Sequence, residues 1–180
     1  MHEAEKSHKK YFYYKLAIYF ILSVCTFVFR HDLVENLKYF IGTLMIIYGL
    51  EEFLFEIIYK GKDFWKAEKL FLGFVEFIFG VFLVFAEIDI ETTCIIWASW
   101  AIVRESFEIR ELVVEVKSLT LTIISGIESV AVIVLSFMLI LEAGEHHAMI
   151  HLYLLLVELI LTPLVPLLDE IFEDKKKKTE

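Results

Sequence analysis

The sequence predicts an all-α membrane protein: six transmembrane helices forming three helical-hairpin repeats, with both termini in the cytoplasm. The expectation rests on the apolar content, on six apolar stretches of membrane-spanning length and on a one-sided distribution of Lys and Arg. Of the 180 residues 58% are apolar or aromatic by the AVILMFWYC count, with only two prolines and seven glycines. Soluble chains average about 45–50% apolar even with glycine counted, and a domain of this size has too little interior to hide the surplus. The apolar content excludes disorder, and there is no glycine period of a collagen-like kind. Cys25 and Cys94 are too few for a disulfide scaffold and specify no metal or redox motif. A net charge of −9 argues against a nucleic-acid partner, because nothing would neutralise a run of phosphates.

A hydrocarbon core of about 30 Å needs roughly 20 mainly apolar residues per helix. The stretches that meet this are 11–29, 38–59, 69–86, 92–114, 119–141 and 149–168. The first follows a polar leader, residues 1–10, has no small-residue cleavage pattern after it, and so reads as a retained anchor. It ends at Arg30-His31-Asp32, and the second ends at Lys60-Gly61-Lys62-Asp63, beyond which Trp65 reads as an interfacial anchor. Glu87 to Glu91 close the third, Lys117-Ser118 the fourth, Glu142 to His147 the fifth, and a charged tail, 169–180, follows the sixth. Of the 17 Lys and Arg, fifteen fall at the leader, the second loop, the fourth junction and the tail, and only Arg30 and Lys38 on the other side. Positive loops stay inside, which puts both termini in the cytoplasm of a cell (inner or plasma) membrane.

The chain also repeats itself. Leu72-Gly73-Phe74-Val75-Glu76 aligns with Ile124-Ser125-Gly126-Ile127-Glu128 at an offset of 52, and Tyr48 to Phe53 aligns with Arg104 to Ile109 at an offset of 56, setting Glu52 on Glu108. The unit is a helical hairpin of some fifty-odd residues, present about three times, with the terminal copies drifted. The run Ile96-Trp97-Ala98-Ser99-Trp100-Ala101-Ile102-Val103-Arg104-Glu105-Ser106-Phe107-Glu108-Ile109 resembles the fourth helix of the HdeD-like acid-resistance membrane proteins. Glu105 stands where that family usually has Gly. The resemblance implies six helices built from a short repeated hairpin and a role in acid-stress tolerance of the cell envelope.

The most informative side chains are ionisable ones inside the apolar stretches. Glu51, Glu52 and Glu56 lie in the second, Glu76 in the third, Arg104, Glu105 and Glu108 in the fourth, Glu128 in the fifth and Glu158 in the sixth. At about 1.5 Å per residue, Glu52, Glu76, Glu105, Glu108, Glu128 and Glu158 all fall roughly 9–15 Å from the cytoplasmic helix ends, so five helices feed one layer. A charge at mid-membrane costs at least ~2.5–3.5 kcal/mol, so such groups are expected to face the bundle or a wet cavity. Gly73, Glu76 and Gly80 share one side of their helix, as Ser125, Glu128 and Val132 do, and small residues beside a carboxylate let backbones approach. Arg104 and Glu108, at i and i+4, can pair. One arginine cannot match eight glutamates, so the others must be protonated, hydrated or balanced by a bound cation, and with oxygen ligands alone a proton or hard cation suits the layer.

Other candidates carry less chemistry. Pro163 and Pro166 free the carbonyls of Leu159 and Thr162, close to Glu158 and the Thr162 hydroxyl, either as an ion-lining break or as a simple kink. His147 and His151, also at i and i+4, suit an outer pH sensor or divalent-metal site, or an incidental solvated loop. Trp97 and Trp100 read as packing residues. No nucleophile–base arrangement, phosphate-cradling loop or zinc-protease helix is present, and no cofactor is implied. The expected function is non-enzymatic: a buried glutamate layer that responds to or conducts protons or cations, or alternatively a scaffold in which the same glutamates only bond helices together. The expected partners are the lipid bilayer, protons or small cations, and further copies of the chain in a homo-oligomer.

Overall fold

The computed structural model describes residues 2–60, 68–115 and 119–177. Among these every regular element is helical: α1 (His2–Val28), α2 (Arg30–Glu35), α3 (Leu37–Lys60), α4 (Glu68–Phe85), α5 (Ile90–Glu115), α6 (Leu119–Leu141) and α7 (Glu145–Lys177). Lys62, Trp65, Lys66 and Lys117-Ser118 lie outside the described residues, as do the side chains of Glu56, Pro166 and the N-terminal lysines. Two helices are long and apolar enough to cross a membrane, α6 and the Glu145–Asp169 part of α7.

The helices run past the apolar stretches at several ends. α1 begins within the polar leader, and α7 continues into the charged tail. Both extensions are rich in Glu, Lys and aliphatic residues and lack glycine and proline beyond Pro166, so nothing local stops the helix even where its surface turns polar. The polar cluster Arg30-His31-Asp32, expected as a loop, is instead the short helix α2. Its end is a turn in which the Asn36 amide and side-chain NH2 both donate to the Asp32 carbonyl, at 3.1 and 3.0 Å. Cationic side chains cover orphan carbonyls nearby: Arg30 donates to Phe27 O (2.9 Å) and Lys38 donates to Ala86 O (3.0 Å), just past the end of α4.

α3 packs chiefly on α4, α5 on α6, and α1 on α7, with α6 also against α7. The first two pairs are the hairpins that the internal repeat marks. The third is not a hairpin: the two ends of the chain come together to make it. In the α3–α4 pair, Gly42 meets Gly80 and Gly49 meets Gly73, so each helix offers two glycines seven residues apart. A Cβ at Gly80 would stand 2.6 Å from Gly42 O and 2.8 Å from Ile46 N, both backbone atoms that have no room to yield. In α6 the repeat sets Ser125 and Val132 on Gly73 and Gly80, so the α5–α6 pair lacks this glycine pairing, and the neighbouring Gly126 has nothing near its missing Cβ.

The core is mainly apolar but holds several charged and polar groups, and large apolar side chains are left on the surface. Tyr48, Trp97, Leu83 and Leu152 are fully buried, and with them Glu76, Arg104, Glu105, Ser136, His151 and Glu158. Meanwhile α4 exposes Phe71, Phe74, Phe79, Phe82 and Phe85, and α6 exposes Ile123, Ile127, Val130, Val134 and Phe137. These are far larger apolar faces than soluble monomers present.

Two outcomes follow from the packing. Gly80→Val is expected to lower the melting temperature in detergent, by overpacking worth about 1–3 kcal/mol. Gly126→Ala should leave it unchanged or raise it, since a mid-helix glycine is disfavoured by roughly 0.5–1 kcal/mol against alanine. At the start of α5, the Thr92 amide donates to Asp89 Oδ1 (2.8 Å) and the Thr92 side chain adds to the hold, keeping the exposed Asp89 carboxyl below its ordinary range. A depressed carboxylate contributes stability above its unfolded value, about 3.9, which is lost as pH falls through the folded value. Asp89→Asn should therefore flatten the acid limb of the melting-temperature profile below about pH 4, while leaving a neutral-pH helix spectrum intact.

Candidate functional site

The site is built on one face of α5. Trp97, Trp100, Arg104 and Glu108 recur at intervals of three and four, so the helix stacks them along one side. Arg104 is 4% exposed and lies at the meeting point of four helices. Its Nη1 is 3.3 Å from Glu76 Oε1 of α4 and 3.9 Å from Glu52 Oε1 of α3. Its Nε is 3.1 Å from Glu108 Oε1 on α5 itself and 3.8 Å from Glu158 Oε1 of α7. The guanidinium carbon sits 3.7 Å from the centroid of the Tyr48 ring, a cation–π contact that shields the cation without supplying negative charge. Glu76 takes a second donor, the Trp100 indole N–H, at 2.9 Å. Tyr19 of α1 donates to Glu51 Oε2 at 2.9 Å, and its ring meets Tyr48 edge-on at 5.6 Å.

Beside this arginine cluster stands a purely acidic one. One carboxylate oxygen each from Glu105 of α5, Glu128 of α6 and Glu158 of α7 lie within 4.8 Å of one another. Glu105 is 1% exposed, and neither of its carboxylate oxygens has a hydrogen-bond partner; Glu128 Oε1 also lacks one. Glu158 belongs to both clusters. The structure thus gathers Glu52, Glu76, Arg104, Glu105, Glu108, Glu128 and Glu158 into one connected group drawn from α3 to α7.

The outer histidines are not assembled in the same way. His147 faces Glu142, 3.4 Å from its Oε2. His151 is buried, bonded to Ser136 Oγ at 2.9 Å and stacked near Trp97 at 4.6 Å between centroids. The i, i+4 spacing holds along the helix, but His151 is taken into the core beside Ser136 of α6 and His147 lies beside Glu142, so the two rings have separate partners. Trp97 is a core residue, 1% exposed. Trp100 does more than pack, since its N–H is committed to Glu76. The Thr162 hydroxyl turns back onto the Glu158 carbonyl at 2.9 Å, and α7 remains helical through Pro163 and Pro166.

Sequence reasoning missed Tyr48, Trp100 and Tyr19 as partners of the layer. Two signals were there to be read: Trp100 precedes Arg104 by four residues and Tyr48 precedes Glu52 by four, on the same helical faces. Tyr19 lies 32 residues from Glu51 and carries no such local mark.

Comparison with protein-family models, with curated proteins and with solved structures finds no match for this chain.

Removing one member of a buried ion pair strands the other, typically at about 3–5 kcal/mol. Arg104→Met should therefore lower the melting temperature in detergent sharply, and adding Glu108→Gln to it should restore part of the loss, giving a clearly non-additive double-mutant cycle. Trp100→Phe removes the indole donor together with part of the buried ring, and is expected to cost at least about 1.5–3 kcal/mol, the range for a hydrogen bond to a charged group, with lost packing added.

Proposed function

We propose that this chain is a non-enzymatic, multi-pass integral membrane protein whose buried glutamate layer responds to, or conducts, protons or small cations. The observation that carries this reading is an imbalance of charge: Arg104 has carboxylates of Glu52, Glu76, Glu108 and Glu158 within 4.0 Å, and Glu105 and Glu128 adjoin them without a cation of their own. A low-dielectric interior does not hold that excess as bare charge, so mobile positive species must occupy it.

Six crossings with cytoplasmic termini are the topology that the loop charges favour. Burial of the acids supports it, because α3, α4 and α5 can face lipid only if their glutamates are turned inward. The exposed phenylalanines of α4 and isoleucines of α6 suit acyl chains and the flank of a second copy in a homo-oligomer. The likeness of Ile96 to Ile109 to the HdeD-like proteins supports a place in the inner or plasma membrane and a part in acid-stress tolerance.

A scaffold reading draws on a different observation. Arg104 joins α3, α4, α5 and α7, and Tyr19 ties α1 to α3, so the same groups can serve as helix-to-helix bonds.

Purified protein in liposomes carrying a pH gradient separates the two. The proton or cation reading expects faster dissipation than in protein-free vesicles, and slower dissipation with the Glu105→Gln/Glu128→Gln variant. It also expects the pH dependence of the melting temperature to shrink in that variant. Equal leak of parent and variant to protons, Na⁺ and K⁺, with an unchanged pH profile, leaves only the scaffold.

A further inference from the structure

We infer that Glu105, Glu128 and Glu158 form a binding site for one hard divalent cation of about calcium size. This rests on the reading of the layer as cation-responsive and names the cation class and the ligands.

Three features point to it. The first is chemistry: all three ligands are carboxylate oxygens, with no thiolate or imidazole among them, which suits hard ions rather than zinc or copper. The second is size. Three oxygens set evenly around one ion stand about 4.0–4.5 Å apart for calcium, bonded at 2.3–2.6 Å, and about 3.5–3.6 Å apart for magnesium, bonded at 2.0–2.1 Å. A trio whose oxygens all lie within 4.8 Å of one another is compact enough for a single ion to bridge, and calcium, which accepts irregular carboxylate geometry, is favoured over magnesium, which demands near-ideal octahedral geometry and dehydrates reluctantly.

The third is the state of Glu105. Its side chain is buried from solvent, its ligand oxygen is turned toward Glu128 and Glu158, and, although the Ser129 side chain lies beside it, neither of its oxygens makes a hydrogen bond of good geometry among the described residues. Buried polar groups are satisfied as a rule, and each exception calls for a ligand or a proton.

Charged groups around the trio favour the ion. Arg104 is the nearest cation, 3.8 Å from Glu158, but its shorter pairs are with Glu108 and Glu76, at 3.1 and 3.3 Å. Those two neutralise it and leave the trio its negative charge. Glu108, one turn beyond Glu105, has a side chain 26% exposed, so this edge of the cluster is the part nearest solvent among the acids of α5. Bidentate carboxylates and water complete the six to eight oxygens that calcium takes.

The test is isothermal titration of the full-length protein in detergent with Ca²⁺, Mg²⁺ and Mn²⁺ separately, K⁺ serving as the ionic-strength control. The expected result is saturable Ca²⁺ binding at one ion per chain, with Mg²⁺ weaker. Glu105→Gln and Glu158→Gln should each weaken it roughly tenfold or more, while Glu142→Gln/His147→Gln on the outer side keeps the parent affinity. Glutamine at 105 removes an unpartnered buried charge, so the variant should melt no lower than the parent without Ca²⁺. Added Ca²⁺ should raise the parent's melting temperature and leave the variant's in place. Absence of saturation, or affinity that survives Glu105→Gln and falls with the outer variant, overturns the site. Protein that dissipates a pH gradient but binds no divalent ion overturns the site and leaves proton handling standing. Protein that binds Ca²⁺ through the trio without flux supports the site and removes conduction.

Discussion

A single guanidinium set among more carboxylates than it can neutralise governs the rest of this structure. Arg104 is in reach of acids from α3, α4, α5 and α7, so the side chain fixes how those helices lie around it. A planar, always-charged group with five donors can hold several carboxylates at once, as a lysine ammonium cannot. The surrounding aromatics finish the arrangement: the Tyr48 ring lies against the guanidinium, and the Trp100 N–H shares Glu76 with it. The glycines contribute from a distance, because only the close α3–α4 approach at Gly49 and Gly73 brings Glu52 and Glu76 to the same side of Arg104. What remains after these pairings is surplus negative charge, concentrated where Glu105, Glu128 and Glu158 meet.

Such an interior has a counterpart outside. In water, a domain with acids in the core and phenylalanines on the surface would turn itself inside out. In the membrane setting proposed above the same pattern would be favourable, since acyl chains would accept the exposed Phe74, Phe82 and Ile127 while polar groups would find partners only among themselves. The buried His151–Ser136 pair obeys the same rule far from the arginine. On the proposed reading, membrane placement and the glutamate layer answer to a single physical constraint, because each accounts for the burial pattern only when the other holds.

Much of this was legible in the sequence wherever the information was local. Apolar runs fall within α1 and α3 to α7, and the glutamate spacing along each helix was enough to draw the layer. The repeat anticipated the α3–α4 and α5–α6 pairs, since both are made by neighbours in sequence. Contacts decided at long range were not legible. Nothing marks Tyr19 for Glu51 or α1 for α7, and the sequence does not tell that Gly73 is packed against a neighbouring helix while Gly126, one position past its repeat partner Ser125, stands in open space. The i, i+4 spacing of His147 and His151 likewise did not foretell their different surroundings: spacing fixes a helical face, whereas the packing of α6 beside it decides that the His151 ring is taken into the core. Charged clusters likewise marked where the surface changes polarity, not where a helix stops, as α2 and the ends of α1 and α7 make plain.

The central claim is that buried carboxylates in this layer exchange their positive partners. Infrared difference spectroscopy of the protein in lipid, stepped between acid and alkaline buffer, tests it most directly, because a protonated carboxyl absorbs apart from a carboxylate. The account predicts a reversible carboxyl band from a water-poor site that diminishes in Glu105→Gln and in Glu128→Gln. A spectrum with no buried carboxyl band, or one identical in parent and variants, contradicts it.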